Sequence, residues 1–338
     1  MKFSLNLSFL ITVGIIVSPF IFSCGKAKGW KKAEGMIWHT MYHVTYYGEE
    51  SLKDSILPVL NEVGHSLSVF EKNSLVSQLN GSRGVKADRH LLKVYEASKK
   101  IQVESRGVFD PTVSPLIDAW GFGLGHVPSA DTLAVDSILQ FIGIEKTSLR
   151  GDSILKDDLR TRFNFSAIAK GYGCDALGEM FRRNGVENYM VEIGGEITLK
   201  GKSPSGNNWK IAVDAPIEGN FPGEETAMVI ELTDCGVATS GNYRNYREVG
   251  GKKVAHTISP VTGRPVPGKI LSATVIALDC MTADAVATAC MASSEPEKVL
   301  SATACEGLLI YPDSVWMSEG FGRYISEEVS EPGRKDRN

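Results

Sequence analysis

Segments with helical spacing alternate with extended segments along most of this chain, and this alternation restricts its fold more than any other feature. Apolar residues at helical spacing predict helices over 52–66, 90–103, 131–142 and 167–184. Runs of β-branched and aromatic residues predict strands over 41–48, 189–193, 209–215, 227–232, 236–240, 270–277 and 308–311. The spacing of these strands favours antiparallel pairing. The sequence therefore predicts an α+β fold, a single unit of mixed, largely antiparallel sheets with packed helices.

The composition is typical of a globular protein with a hydrophobic core. The 338 residues are 43% apolar and 22% charged, and the formal net charge is −4. No run of Lys and Arg interleaves with aromatic residues, so nucleic acid is not expected as a partner. No repeat with a period of 20–50 residues is visible, which argues against a repeat array.

The N-terminus predicts an export signal rather than a part of the fold. An apolar run over residues 9–22 follows Lys2, and the segment Ile21-Phe-Ser-Cys24 resembles a bacterial lipoprotein box. An uncleaved membrane anchor is the alternative, but the run is shorter than the ~20 apolar residues that a membrane span needs. Residues 1–23 are therefore predicted to be a lipoprotein signal peptide.

Lipidation of Cys24 would anchor the mature protein, since two acyl chains give stable membrane attachment where one does not. Residues 24–35 are then the lipidated cysteine with a basic tether, and the charged residues 326–338 form a polar tail. The expected location is the bacterial cell membrane, lipid-anchored and facing the periplasm or exterior. The five other cysteines show no C-x-x-C spacing, which gives little support to a zinc or redox motif.

The segment Cys280-Met-Thr-Ala-Asp-Ala-Val-Ala-Thr-Ala-Cys290 predicts a helix whose N-cap is Thr282. Asp284 and Thr288 lie four residues apart, and therefore on one face of that helix. A carboxylate and a hydroxyl in this arrangement offer two hard oxygen ligands to Mg²⁺, which uses few protein ligands together with substrate phosphates. The positive end of the helix favours the same anionic substrate. An ordinary capped helix, with Thr288 facing the core, is the alternative.

Seven motifs in sequence order resemble the ApbE family, the FAD:protein FMN transferases. The motifs are Ser68-Val-Phe70 with Ser74, Ser77 and Asn80; Gly107 to Leu116; Asn164 to Tyr172 with Asp175; Val191 to Glu196; Ala238 to Tyr243; His256 to Pro260 with Thr262-Gly-Arg264; and Thr282 to Thr288. The resemblance implies an ApbE-like FMN transferase domain over residues 36–325, which is nearly all of the mature chain.

The resemblance implies an activity of the phosphoryl-transfer class. A Mg²⁺-dependent enzyme would move FMN from its substrate FAD onto a Thr or Ser hydroxyl of exported redox proteins, and AMP would leave. The implied partners are FAD and the acceptor flavoprotein subunits of exported or membrane redox complexes. Two alternatives stay open: an FAD pyrophosphatase that yields FMN and AMP, and a flavin-binding lipoprotein without catalysis.

The family motifs also imply roles for individual residues. The implied metal ligands are Asp284, Thr288 and Ala167, the last through its backbone carbonyl because its side chain has no polar atom. His256 matches the histidine of the family's H-x-x-x-P motif and could deprotonate the attacking hydroxyl or orient the phosphate. Asp284 and His256 are thus the implied catalytic residues. Lys170 is suited to a phosphate, with a solvated helix charge as the alternative.

Further residues are expected to contact FAD. Phe70 stands where the family has an aromatic residue near the adenine, on which it would stack. Asp110 could accept hydrogen bonds from flavin or ribose hydroxyls, and Gly194-Gly195 would let the ligand approach the backbone. Near the N-terminus the family usually has Met-Gly-Thr, whereas here Trp38-His39 precedes Thr40, so the glycine is lost. The full expected set for FAD is Trp38, Phe70, Val108, Phe109, Asp110, Asn164, Lys170, Gly194, Gly195, Ser240, His256, Thr257 and Ile258.

Overall fold

The computed structural model describes residues 28–123, 132–217, 224–241, 246–249, 252–255, 257–266 and 268–328. The α-helices in these ranges are α1 (Lys53–Leu67), α2 (Leu75–Asn80), α3 (Arg89–Glu104), α4 (Ser114–Ala119), α5 (Thr132–Leu139), α6 (Ala169–Arg183), α7 (Cys280–Ala292) and α8 (Pro296–Thr303). The strands are β1 (Gly29–Ile37), β2 (Thr40–Gly48), β3 (Gly84–Lys86), β4 (Thr147–Arg150), β5 (Ser153–Lys156), β6 (Tyr189–Ile193), β7 (Glu196–Lys200), β8 (Trp209–Asp214), β9 (Thr226–Leu232), β10 (Cys235–Gly241), β11 (Tyr246–Val249), β12 (Lys252–Ala255), β13 (Ser272–Ala277), β14 (Glu306–Ile310), β15 (Val315–Met317) and β16 (Ile325–Glu328).

The described strands form one large sheet and three small ones. The large sheet has the order β1-β2-β6-β7-β10-β13-β14-β15, and the small ones are β16-β9-β8, β3-β5-β4 and the hairpin β11-β12. All pairings between these named strands are antiparallel. The predicted α+β fold with largely antiparallel sheets is therefore confirmed.

The large sheet separates two hydrophobic layers. Ala238 of β10 and Val275 of β13 face the layer formed with the helices, which includes residues of α3 and α7. Their neighbours Val237 and Ile276 face the opposite layer, where the β16-β9-β8 sheet covers them. This division follows from the alternation of side chains along a strand. The layers therefore follow in the order helices, large sheet, β16-β9-β8 sheet.

Glycine residues allow α6 and α7 to pack closely. A Cβ atom on Gly171 of α6 would lie 2.3 Å from the carbonyl oxygen of Cys280 in α7. A Cβ on Gly236 of β10 would lie 2.1 Å from the backbone nitrogen of the same Cys280. The N-terminal turn of α7 is therefore wedged between α6 and the sheet, in a position that only glycine neighbours permit.

The structure corrects three boundaries predicted from the sequence. Strand β1 begins at Gly29, inside the segment predicted to be a tether, because it pairs along its whole length with β2. At the other end, β16 pairs with β9 and extends to Glu328, inside the predicted polar tail. The N-cap of α7 is Asp279 and not Thr282: the Asp279 side chain accepts a hydrogen bond from the Thr282 amide at 2.7 Å.

None of the described helices has the length and apolar character needed to cross a bilayer.

Candidate active site

A cavity of about 550 Å³ lies between β8 of the small β16-β9-β8 sheet, the turn between β6 and β7, the start of α6 and the face of α7 from Asp284 to Ala292. This volume is in the range of small-molecule and cofactor sites. Most of the residues expected to bind FAD or a metal ion line it together. They are Val108, Phe109, Asp110, Asn164, Ala167, Lys170, Gly194, Gly195, Ser240, Thr257, Ile258, Asp284 and Thr288.

Two of the residues expected to contact FAD do not line this cavity. The indole of Trp38 packs against helix glycines, because a Cβ on Gly64 or on Gly173 would lie 2.8 Å or 2.6 Å from its ring atoms. The Phe70 side chain is 60% exposed, and its ring meets that of His39 edge-on with 6.5 Å between centroids. Neither side chain is among the residues that line the cavity, and contact of Trp38 and Phe70 with FAD stays a prediction.

Two further predicted residues, His256 and Cys24, lie outside the described residues. The residues that follow His256 are described, and Thr257 and Ile258 both line the cavity. Ile258 also forms an isolated antiparallel bridge with Pro265, which closes the turn of the Thr262-Gly-Arg motif. The catalytic role of His256 and the lipidation of Cys24 stay predictions from the sequence.

Two aspartates fix the N-terminus of α7. Asp175 of α6 accepts hydrogen bonds from the amides of Cys280 at 3.1 Å and Met281 at 2.8 Å, and Asp279 accepts from Thr282. The first amides of a helix have no partner within the helix, so these carboxylates satisfy them. Burial, followed by the charge of Asp279, raises the pKa of Asp175 to about 7, although the two amides oppose the shift.

The cavity face of α7 carries Asp284 and Thr288. Asp284 is buried, and its Oδ2 accepts a hydrogen bond from the backbone amide of Gly171 at 3.0 Å. One helical turn further, the Thr288 hydroxyl lies 3.4 Å from the hydroxyl of Ser240 on β10. The predicted pair therefore faces the cavity, and the alternative in which Thr288 packs into the core does not apply. Burial raises the pKa of Asp284, which Lys170 opposes.

Lys170, in the first turn of α6, forms an ion pair with Glu196 at the start of β7. Burial alone would lower the pKa of Lys170, but the carboxylates of Glu196 and Asp284 raise it above its ordinary value. Lys170 therefore keeps its positive charge inside the cavity. Its ammonium group binds a carboxylate, so the solvated helix charge considered from the sequence is not what the structure shows.

Glu196 is the functional candidate that the sequence reasoning missed. Its motif, Val191 to Glu196, belongs to the resemblance, which implies no role for the carboxylate. The available signal was its position directly after Gly194-Gly195 at the end of an apolar strand. Burial raises the pKa of Glu196 to about 8, while Lys170 opposes the shift.

Asp110 lines the cavity and also fixes the loop to which it belongs. Its Oδ1 accepts hydrogen bonds from the amide and hydroxyl of Thr112 at 2.8 and 2.6 Å, and its Oδ2 accepts from the Ile144 amide at 3.0 Å. Burial raises the pKa of Asp110 despite these bonds. Both carboxylate oxygens thus help to fix the loop at residues 108–112, which lines the cavity through Val108, Phe109 and Asp110 itself.

The cavity offers oxygen donors of the kind that hard cations prefer. They are the Asp284 carboxylate, the Thr288 hydroxyl, the Ala167 carbonyl and the Glu196 carboxylate, all of which belong to lining residues. The described residues contain no cluster of three or more His, Cys, Asp or Glu side chains that could hold a metal ion. A cation at this site would therefore be bound by few side chains of the protein.

The fold and the site define a class of protein: an α+β enzyme with a ligand cavity at the start of α6 and along one face of α7. The chain belongs to the ApbE family, whose model matches residues 38–308. The FAD:protein FMN transferase of Vibrio cholerae is 34% identical over 318 residues, which cover 90% of this chain and 92% of that relative. The FAD:protein FMN transferase of Escherichia coli K12 is 30% identical over 297 residues and 82% of each chain.

Solved structures agree with this assignment. The flavin transferase ApbE from Vibrio cholerae superposes with a TM-score of 0.77 at 30% identity, over 88% of this chain and 100% of that chain. The apo form of the Pseudomonas stutzeri flavinyl transferase ApbE gives a TM-score of 0.80 at 25% identity, over 89% and 98% of the two chains. The predicted family and fold are therefore confirmed.

Proposed function

We propose that this protein is an FAD:protein FMN transferase. The observation that carries the proposal is the meeting of Asp284, Thr288 and Lys170 in one cavity of a chain that belongs to the ApbE family. Its relatives in Vibrio cholerae and Escherichia coli bear that name. The positive end of α6 and the charge of Lys170 at the cavity suit an anionic nucleotide such as FAD.

In the proposed reaction, the hydroxyl oxygen of an acceptor Thr or Ser attacks the phosphorus atom nearer riboflavin. A new oxygen–phosphorus bond forms, the bond to the AMP phosphate breaks, and the hydroxyl proton goes to a base or to water. The products are a protein that carries FMN as a phosphoester, and AMP. Such a transfer needs positioning and charge neutralisation more than a covalent enzyme intermediate.

Mg²⁺ is the proposed cofactor. Asp284, Thr288 and the carbonyl of Ala167 would hold the ion, and all three residues line the cavity. These donors fit Mg²⁺, which binds through one or two carboxylates and through substrate phosphates. When bound, the ion would neutralise the pyrophosphate charge. The Gly171 amide, through its hydrogen bond to Asp284 Oδ2, orients the carboxylate for this role.

The protein is also proposed to act at a membrane, on flavoprotein subunits of exported or membrane redox complexes. The support for this part is the lipoprotein box at Cys24 and the apolar run before it. Anchoring at the periplasmic or exterior surface would place the cavity in the same compartment as exported acceptors. The location and the acceptors come from the sequence argument alone.

The decisive experiment measures AMP and FMN with and without an acceptor. The purified protein is incubated with FAD and Mg²⁺, alone and with a candidate acceptor that has an exposed Thr or Ser. A transferase should form AMP in proportion to FMN-modified acceptor and leave FAD largely intact without it. Rapid release of free FMN and AMP without acceptor would instead identify an FAD pyrophosphatase. FAD binding without any cleavage would support the non-catalytic alternative.

A further inference from the structure

Glu196 is a buried carboxylate to which the proposed reaction assigns no role. It follows Gly194 and Gly195, whose φ angles of 64° and 102° form a turn that aims the start of β7 at the cavity. The side chain is 5% exposed and belongs to the cavity lining. Oε1 contacts the Lys170 ammonium, while Oε2 accepts no hydrogen bond from any residue that the structure describes.

An unpaired, buried carboxylate oxygen is costly unless a ligand satisfies it. Removing an ion from water costs several kcal/mol, and good geometry with full hydrogen bonding is needed to compensate. The large majority of buried polar side-chain atoms in proteins have at least one partner. Glu196 Oε2 therefore indicates that a hydrogen-bond donor or a cation completes this part of the cavity.

The charges around Glu196 favour a cation. Four acidic side chains line the cavity, Asp110, Glu196, Asp214 and Asp284, and Lys170 is the one Lys or Arg side chain among the described residues that do so. Carboxyl groups thus outnumber the single ammonium group. An anionic ligand alone would increase the imbalance, whereas a divalent cation would reduce it.

We propose that Glu196 is a second carboxylate of the cation site. Its Oε1 holds Lys170, and its Oε2 accepts hydrogen bonds from water molecules that Mg²⁺ retains. The inference rests on the proposed function, because it takes Asp284 and Thr288 as the direct ligands. Mg²⁺ gives up its water reluctantly and is commonly held through few protein ligands. Mutation of a group that binds such water or orients the ligands typically lowers metal affinity by about 10–100-fold.

The test measures cation binding without turnover. Mn²⁺ serves as the probe, and free Mn²⁺ is titrated by electron paramagnetic resonance against the purified full-length protein in the presence of AMP. The variants are Glu196→Gln, which replaces the acceptor Oε2 with a donor at constant size, and Asp284→Ala. The control is Glu179→Gln, which removes an exposed carboxylate of α6 that pairs with Arg183. FAD affinity in EDTA and the thermal midpoint are measured in parallel.

The proposal expects Glu196→Gln to weaken Mn²⁺ binding by about 10–100-fold, with FAD affinity in EDTA close to that of the parent. Asp284→Ala should abolish the site, and Glu179→Gln should bind Mn²⁺ like the parent. If Glu196→Gln binds Mn²⁺ within twofold of the parent while Asp284→Ala does not bind, the role of Glu196 is overturned and the proposed function stands. If Asp284→Ala also binds normally, the cation site of the proposed function is wrong, and the inference fails with it.

Loss of folding would not prevent the test. Should Glu196→Gln lower the thermal midpoint strongly, the double variant Lys170→Met with Glu196→Gln removes both charges of the ion pair, so neither of these two positions keeps a charge without its partner. This folded double variant is again expected to bind Mn²⁺ at least about 10-fold more weakly than the parent. Parent-like Mn²⁺ affinity in the double variant would overturn the proposal.

Discussion

At the scale of single residues, Asp284 connects α7 to α6 and faces the cavity. Its Oδ2 accepts from the Gly171 amide, its charge acts on Lys170, and it lines the cavity one turn before Thr288. A carboxylate held in this way cannot rotate freely, so it presents a fixed orientation to a ligand. Preorganised charge of this kind is a large contribution to phosphoryl transfer.

Replacement of Asp284 by Ala should therefore lower AMP formation with acceptor and Mg²⁺ by ~10²-fold or more, because the charge that would hold the metal ion is lost. Initial rates at saturating FAD measure this effect. Asp54→Ala, which removes an exposed carboxylate in the first turn of α1, is the matched control and should leave the rate unchanged. An Asp284→Ala rate within a few-fold of the parent would mean that the metal ion binds elsewhere.

Residue types at characteristic spacing were predictable, whereas side-chain directions were not. The i, i+4 spacing was sufficient to place Asp284 and Thr288 on one face of a helix. Whether Trp38 points to a ligand or into a helix contact depends on Gly64 and Gly173, which are distant from it in sequence. Glu196 likewise gains its role only through contact with Lys170, and no local pattern encodes that contact.

At the scale of elements, the site depends on the crossing of α6 and α7. Gly171→Ala should push these helices apart, because the new Cβ would lie 2.3 Å from the Cys280 carbonyl oxygen and 2.8 Å from the Asp284 Cβ. We expect a loss of about 1–3 kcal/mol in the free energy of unfolding, together with lower transferase activity. Urea denaturation and AMP assays measure the two effects.

Gly322→Ala is the control for this prediction, since a Cβ there would meet no atom within 4 Å. It should leave both the free energy of unfolding and the activity unchanged. If Gly171→Ala is as stable and active as the parent, the close contact of α6 with α7 is not required for the site.

The same crossing predicts a dependence of stability on pH. Since the folded-state pKa of Asp175 is raised from 3.8 to about 7, the folded protein keeps a proton that the unfolded chain loses within this range. The free energy of unfolding should therefore fall as the pH rises from about 4 to 7. Asp175→Asn cannot titrate, so its decline with pH should be shallower. Urea denaturation at a series of pH values measures the slopes.

The exposed Asp313 provides the control for this pH dependence. Asp313→Asn should keep the slope of the parent. If Asp175→Asn shows the same decline as the parent, Asp175 does not carry the proton.

The sequence could not have indicated this carboxylate, because Asp175 becomes a cap of α7 only when the two helices meet. The N-cap of α7, in contrast, is a local feature: Asp279 accepts from the amide of Thr282 three residues further on, so the prediction of Thr282 is an error in reading the local pattern.

At the scale of the whole molecule, the long periodic segments were predicted well. Helices α1, α3, α6 and α7 and most strands of the large sheet occur within a few residues of their predicted limits. The short strands β3, β4 and β5 were missed, since three or four residues are too few to establish a period. The basic residues of β1 predict a tether, whereas its pairing with β2 makes this segment a strand.

Membrane attachment is a prediction about the whole molecule. Cys24→Ala should remove the lipidation site, so the unprocessed precursor should accumulate and the protein should lose its normal membrane fractionation. Immunoblots of membrane and soluble fractions, with and without globomycin, measure this. Cys235→Ala, at a cysteine outside the lipoprotein box, is the control. If Cys24→Ala is processed and fractionates like the parent, Cys24 is not the lipid anchor.

The central claim is that the cavity transfers FMN to a protein hydroxyl. The most direct measurement is the intact mass of an acceptor protein after incubation with FAD, Mg²⁺ and the enzyme, with AMP quantified in the same reaction. The predicted result is an acceptor heavier by one FMN group less one water, one AMP per modified acceptor, and no modification with the Asp284→Ala enzyme. An acceptor of unchanged mass in a reaction that nevertheless accumulates AMP and free FMN would contradict the claim.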